Sequence, residues 1–259
     1  MKYTQLSITV PSSPIFSSLG KEPSLETEVL FGEKVSLLEK RNDALFIKTE
    51  IDNYYGWINN KHVGELKKPT HRVLTLRTII FTKPDIKSNS INYLPMGSQI
   101  YVKYFENNWA CIMLSDDNKI NEGFISKNHI VYITNKSKDW VKYAEQLIGV
   151  PYKWGGRDTI GLDCSALVQL SLQTAGIFAP RNTDEQINMN FNIINNIKEL
   201  RRGSIIFWKG HVGILTDNNT LLHANAFSMN VVKEPLLEAI NRIYKDYSNI
   251  KKMFLIELN

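Results

Sequence analysis

Cys164 stands at a join in the chain. Before it runs a loop, residues 151–163, with Gly155 and Gly156 paired and the aromatics Tyr152 and Trp154 on either side of Lys153. After it comes the apolar run 166–175, helical in spacing, with Gly176 placed to end it. The thiol therefore falls in the first turn of a helix, where unpaired backbone N–H groups favour a thiolate. A lone cysteine is more often a small buried core residue, so the chemistry needs partners. His211 and His223 supply them. His211 opens an apolar run after Lys209 and Gly210, and His223 lies in the next one; a hairpin turning around Asp217, Asn218 and Asn219 sets the two rings side by side. A nucleophile, a base and a third group orienting the base are the working set for acyl transfer through a thiol. Asn225 competes with His223 for the third place. A cysteine activated in this way is expected to work as a thiolate–imidazolium pair.

The elements that must position these residues are legible around them. Residues 137–149 have the spacing of a helix, with Ser137 as N-cap, Gly149 as stop, and Trp140, Val141, Ala144, Leu147 and Ile148 on one apolar face. Residues 180–186 look like a loop entering a short helix. Strand patterns follow at 204–208, 211–215, 220–224, 230–233 and 253–257, which makes helices followed by an antiparallel meander, an α+β layout. The first half is different: short strands and turns suited to a small β-barrel, and the pattern occurs twice. Leu30 to Val35 is answered by Leu94 to Val102, and Ala44 to Thr49 by Asn108 to Met113. Gly56-Trp57-Ile58 followed by His62 is answered by Gly123-Phe124-Ile125 followed by His129. His62, His71 and His129 read as surface or capping residues, and Cys111 as a core residue of its strand.

Composition sets limits on function. With 259 residues, 43% hydrophobic and 22% charged, the chain has the make-up of a globular protein of one to three domains. The net charge of +5 is spread over isolated pairs such as Lys67-Lys68, Arg201-Arg202 and Lys251-Lys252, not gathered into a nucleic-acid footprint. Two cysteines make no disulfide framework, and no Cys or His spacing suggests a metal, so no cofactor is expected. No stretch reaches the roughly 20 apolar residues of a membrane span. The first eleven residues hold no apolar run of signal-peptide length. A cytoplasmic monomer is the expectation, or an exported protein if the true start lies upstream.

Residues from about 137 onward carry Tyr152-x-Trp154-Gly155-Gly156, Gly161-x-Asp163-Cys164-Ser165, Pro180-Arg181-x-Thr183, Gly203-Ser204-Ile205-Ile206-Phe207-Trp208 and His211-Val212-Gly213-Ile214. Together these resemble the NlpC/p60 family of papain-like cysteine peptidases. The twofold β pattern in front resembles the SH3-like barrels that accompany bacterial wall-active enzymes. The resemblance implies a first barrel at 1–66, a second at 67–135 and a papain-like catalytic domain at 136–259. It also implies cleavage of the γ-D-glutamyl–diamino-acid bond in murein peptides bearing a free N-terminal L-alanine, as part of peptide recycling. By matching position, Cys164 would be the nucleophile, His211 the base and then acid, His223 the orienting residue, and Tyr152 a donor near the oxyanion. Asp163 and Ser165 would hold the free amine, Arg181 and Thr183 the D-glutamyl carboxylate, and Tyr54 of the first barrel would wall off the amine end. Thr183 stands where this branch often has Ser. The diamino acid, meso-diaminopimelate or lysine, is left open. Rival readings are an amidase or acyltransferase on the same fold, an exported wall hydrolase, and a wall-binding adaptor.

Overall fold

The computed structural model describes residues 3–114, 121–246 and 248–258. The chain divides into two compact units, one made of Met1–Asn135 with Arg157–Thr159, the other of Lys136–Gly156 with Ile160–Asn259.

The first unit is almost entirely strands, and its strand order is written twice. Its larger sheet runs Leu25–Leu30, Ser12–Phe16, Tyr55–Asn59, Ala44–Thr49, Lys34–Arg41, then Thr4–Ile8 and Val63–Gly64. The second sheet runs Ser90–Pro95, Arg77–Phe81, Glu122–Ser126, Trp109–Met113, Val102–Glu106. Each member matches its counterpart in the first five strands of the larger sheet. The two sets differ at one strand: Lys34–Arg41 is continuous, bulged between Leu37 and Glu39, whereas its counterpart is split into Gln99–Ile100 and Val102–Glu106. The split piece pairs with His71–Val73, which pairs with Ile130–Tyr132, forming a separate small sheet.

The repeat extends to side chains. Each set closes on a 3-10 turn, Asn60–His62 and Lys127–His129, whose N-cap side chain (Asn59 or Ser126) accepts a backbone N–H. Each turn ends on a histidine bonded to the second residue of the same strand: His62 Nδ1 to Ser13 Oγ at 2.7 Å, His129 Nδ1 to Thr78 Oγ1 at 2.9 Å. His62 and His129 thus cap turns. His71 departs from the surface reading: it is 5% exposed and packed against Tyr132 and Phe105. Cys111 is fully buried in its strand, its thiol donating to Glu122.

In the second unit a six-stranded antiparallel sheet runs Asn192–Ile193, Lys252–Leu255, Ser204–Trp208, His211–Leu215, Thr220–Asn225, Asn230–Pro235. Among the described residues four α-helices accompany it: α1 (Val141–Glu145), α2 (Cys164–Thr174), α3 (Thr183–Gln186) and α4 (Leu236–Asp246). Every residue of α2 is buried, against the strands that begin with His211 and Thr220. Gly176 ends it as expected, its N–H donating to the Gln173 carbonyl at 3.0 Å. α4 is an element absent from the strand reading of this region. Leu236, Ala239 and Ile243 recur at helical spacing and join Leu215 and Leu221 in one core cluster.

α1 is shorter than its sequence pattern suggests. Ser137 Oγ accepts only from the Asp139 N–H at 3.2 Å, closing a turn outside the helix, and Asp139 takes the Lys142 N–H at 3.3 Å. Trp140, Val141, Ala144 and Leu147 are buried as expected, but Ile148 is 47% exposed. The helix has ended before it, so the periodicity that placed Ile148 inward no longer applies.

Candidate active site

The site in the second unit begins with the cap of α2. Asp163 has extended backbone, and its Oδ1 accepts the Ala166 N–H at 2.9 Å. Four more donors converge on the same carboxylate. On Oδ1 these are the Ser165 hydroxyl at 3.0 Å and Arg181 Nη1 at 3.0 Å; on Oδ2 they are the Gly155 N–H at 3.1 Å and Arg181 Nη2 at 2.7 Å. Arg181 also donates to Ser165 Oγ at 2.8 Å and to the Gly156 carbonyl at 3.1 Å. Its side chain is 1% exposed, and a guanidinium so buried needs a neighbouring carboxylate to neutralise it. Arg181, expected on the D-glutamyl carboxylate of a substrate, is turned instead onto Asp163. The paired glycines of the loop supply one donor and one acceptor to this clamp.

Cys164 follows, 5% exposed. Its Sγ lies 3.9 Å from the hydroxyl of Thr183, the first residue of α3, and the backbone N–H of Val212 is directed at the sulfur. Burial pushes the thiol up to about 11, and the negative charge of Asp163 adds to the rise. Val212, Thr183 and Arg181 act in the other direction without overcoming it. The helix terminus does not produce the expected thiolate, for a local reason. Burial takes the thiol out of water, and the Asp163 carboxylate, which already occupies the end of α2, sets its own charge against S⁻.

His211 opens its strand after a two-residue turn, with Trp208 as its cross-strand partner. Its Nε2 lies 2.8 Å from His223 Nδ1. Burial drives the His211 ring down to about 3, with the neighbouring His223 and Arg242 contributing. Both shifts favour the uncharged forms of sulfur and imidazole. Among the described residues the sulfur makes no hydrogen bond to the His211 ring. Its contact on that strand is the N–H of Val212, one residue further on.

Behind His223 the chain of contacts continues. Its Nε2 lies 2.5 Å from Glu234 Oε1, and Glu234 is bonded in turn by Arg242 of α4. Burial works against charge on Glu234, but His223 and Arg242 together outweigh it and hold the carboxyl below its ordinary range. An ionised carboxylate only accepts. With His223 Nε2 donating to Glu234, a neutral His223 ring offers Nδ1 as acceptor to His211 Nε2, an arrangement that leaves His211 Nδ1 as the basic atom. Asn225 also approaches His223 Nε2, at 2.9 Å, while its own Oδ1 accepts the Ser228 N–H at 2.7 Å. Of the two candidates for third residue, His223 is the one in contact with His211. Glu234 and Arg242 escape the sequence reading because nothing in their spacing ties them to a histidine. Only the pairing of Leu221 with Glu234 and His223 with Val232 brings the carboxylate diagonally onto the ring.

Of the other expected residues, Tyr152 is half-buried and anchored by its backbone N–H on the Met229 carbonyl at 2.9 Å. With His211 it lines a cavity of about 260 Å³. Tyr54 belongs to the first unit, where its hydroxyl donates to Glu26 at 2.9 Å.

Known proteins resemble this chain along most of its length. The NlpC/P60 family matches residues 149–252, and the bacterial dipeptidyl-peptidase SH3 domain matches residues 19–63. Dipeptidyl-peptidase 6 of Lysinibacillus sphaericus is 24% identical over 240 residues, covering 82% of this chain and 85% of the relative. The γ-D-glutamyl-L-lysine dipeptidyl-peptidase of Bacillus subtilis is 22% identical over 245 residues, covering 83% and 77%. A solved NlpC/P60 family protein from Bacillus cereus superposes with a TM-score of 0.81 at 16% identity, over 97% of this chain and 99% of that one. That likeness establishes the fold: a papain-like domain preceded by an SH3-like, β-rich part.

Proposed function

The chain is a cysteine peptidase with an NlpC/P60 domain, and from that premise we propose that it hydrolyses the γ-D-glutamyl–diamino-acid bond of murein peptides with a free N-terminal L-alanine, releasing L-Ala-D-Glu in peptide recycling. The observation that carries this reading is the pairing of Cys164 with an adjacent buried carboxylate. Asp163 raises the thiol pKa even with Arg181 paired to it, which hinders nucleophilic attack unless a further cation offsets it. The ammonium of an N-terminal alanine is such a cation. Its arrival beside Asp163 would weaken the second of the two causes that hold the thiol protonated, so that substrate binding and nucleophile activation become one event.

The steps follow from this. Cys164 turns about χ1 from Thr183 towards the bare Nδ1 of His211, which takes the thiol proton as sulfur adds to the γ-carbonyl carbon. The Cys164 N–H and the Tyr152 hydroxyl serve the oxyanion. His223, held by Glu234, steadies the imidazolium. The C–N bond breaks, His211 returns its proton to the leaving amine, and water, deprotonated by the same ring, then frees the dipeptide. Arg181 acts as a positioning residue that fixes Asp163 and Ser165 around the ammonium. Thr183, beside the sulfur, is the candidate for the D-glutamyl carboxylate, and Tyr54 for the wall of the amine end. The extents 1–66, 67–135 and 136–259 are proposed for the two barrels and the catalytic domain.

The test is incubation with L-Ala-γ-D-Glu-L-Lys and its diaminopimelate counterpart, with products read by mass. L-Ala-D-Glu and the free diamino acid should form. Cys164→Ala should keep the fold and lose turnover, and N-acetylation of the alanine should abolish cleavage. Equal cleavage of acetylated and free peptides would remove the basis for the amine-dependent reading.

A further inference from the structure

Acyl transfer divides a site into two sides, and the ring that protonates the departing amine marks which is which. The leaving group must sit within hydrogen-bond reach of His211, because that imidazolium supplies its proton. The cavity of about 260 Å³ is walled by His211 itself, with Tyr152, Trp154, Lys209, Phe227 and Arg242 among its other walls. None of Asp163, Cys164, Ser165, Arg181 or Thr183 contributes to it. His223 and Asn225 also line it, so it adjoins the ring that must protonate the leaving amine while standing apart from the residues assigned to the acyl side, the relation a leaving-side pocket requires. Its volume is enough for one amino-acid residue.

The walls have a definite chemistry. Trp154 and Phe227 are 74% and 75% exposed, large aromatic faces standing in solvent beside a cleft. Arg242 lies over the Phe227 ring at 4.5 Å and is already paired with Glu234. Lys209 occupies the tight turn between Trp208 and His211, two positions before the base, and its backbone N–H is tied to Ser248 Oγ at 3.0 Å. Among the described residues no carboxylate pairs with the Lys209 ammonium, and no carboxylate is among the cavity walls. The cavity thus has two cationic walls, one of them without an internal counter-charge.

We propose that this cavity receives the amino acid released by cleavage, and that Lys209 binds its free carboxylate while Trp154 and Phe227 flank its aliphatic chain. The assignment rests on the γ-glutamyl reading above and adds to it a rule for the far end of the substrate. The released residue should be the last of its chain, because only a terminal residue presents a free α-carboxylate. A stem peptide that continues past the diamino acid replaces that anion with a neutral amide, and Lys209 then loses its partner.

The experiment compares L-Ala-γ-D-Glu-L-Lys with the same peptide ending in a C-terminal carboxamide, on the wild-type chain and on Lys209→Gln and Lys209→Glu. The residue is exposed in a turn, so the fold should hold, and circular dichroism would check it. The wild type should favour the acid by about tenfold in kcat/KM, chiefly through KM, as expected for one charge-assisted hydrogen bond. Lys209→Gln should reduce the ratio to about two, and Lys209→Glu should invert it. A wild type indifferent to the carboxamide, or a Lys209→Gln variant with the preference intact, would overturn the assignment. Loss of cleavage of both peptides by the wild type is a different failure, one that removes the γ-glutamyl reading itself.

Discussion

At the scale of single residues, the site is built to keep its reacting groups neutral. The Cys164 thiol stands at about 11 and the His211 ring at about 3, both shifted first by burial. A neutral thiol beside a neutral imidazole is the competent form, so the acid limb of kcat/KM belongs to His211 and moves far below the ordinary 6.5. The profile should run flat through pH 6.5 and down to about 5. Its alkaline limb should belong to the substrate ammonium, near its usual value of about 8. A half-maximal point near 6.5 would show the ring titrating as if solvated. Alkylation of the resting enzyme by iodoacetamide should accordingly be slow at pH 7 and climb towards pH 11, with no plateau at acid pH. The second residue-scale expectation concerns Glu234. Glu234→Gln can donate where the carboxylate only accepts, which permits the wrong His223 tautomer and removes the proton preference that passes to His211. The expected cost is about 10- to 100-fold in kcat with KM little changed. Asn225→Ala, which removes an uncharged contact to the same His223 nitrogen, should cost less.

At the scale of elements, what is readable depends on whether the signal is local. The helix that begins at Cys164, its glycine stop and the meander behind it are all carried by runs of adjacent residues, and the strands appear where their patterns fall. The doubling of the β region is readable because each copy keeps its own turn chemistry, down to the histidine at the end of each 3-10 turn. The failures have the same origin. Ser137 reads as an N-cap because capping residues also close isolated turns, and Ile148 falls inward only if the period is carried past the end of α1. The charge on Cys164 cannot be read from its helix because it depends on what else binds that terminus. Loop geometry at two glycines gives a direct test of element-level constraint. Gly32 has φ of +78°, and a Cβ there would meet the Gln99 carbonyl oxygen at 1.7 Å; Gly149 has φ of +84° and open space around it. Alanine at Gly149 should cost about 1–2 kcal/mol for the backbone alone. Gly32→Ala should cost about 2–4 kcal/mol, because backbone must also give way. Urea midpoints of the two variants would compare them.

At the scale of the whole molecule, three residues of the loop before Cys164 belong to the first unit, and no local pattern in the sequence announces it. Arg157 to Thr159 sit between Gly156 and Ile160 of the second unit, yet their contacts lie with the β-rich half. Arg157 Nη1 and Nη2 each donate to Glu33 at 2.8 Å, a bidentate pair with both side chains 1% exposed. Glu28 Oε2 takes the backbone N–H groups of Arg157 at 2.8 Å and Asp158 at 3.1 Å, and Tyr93 donates to Asp158 at 3.1 Å. In the sequence Arg157 is only a charged residue seven positions before a cysteine. Its partner is 124 positions away, a separation that no period or motif spans. A buried pair of this kind reveals itself when it is broken. Glu33→Gln removes the bidentate carboxylate from a buried guanidinium, leaves it with the weaker influence of Asp52 and Glu28, and should cost about 3–5 kcal/mol. Arg157→Met added to Glu33→Gln removes the buried charge that has lost its bidentate partner, while the oxygen of the introduced amide can still accept the Leu30 N–H that Glu33 takes at 2.9 Å. The double variant should therefore be more stable than Glu33→Gln alone, a non-additivity that urea denaturation of the full chain would measure. If the two costs simply add, the pair is not coupled, and the loop residues are held by Glu28 and their backbone bonds alone.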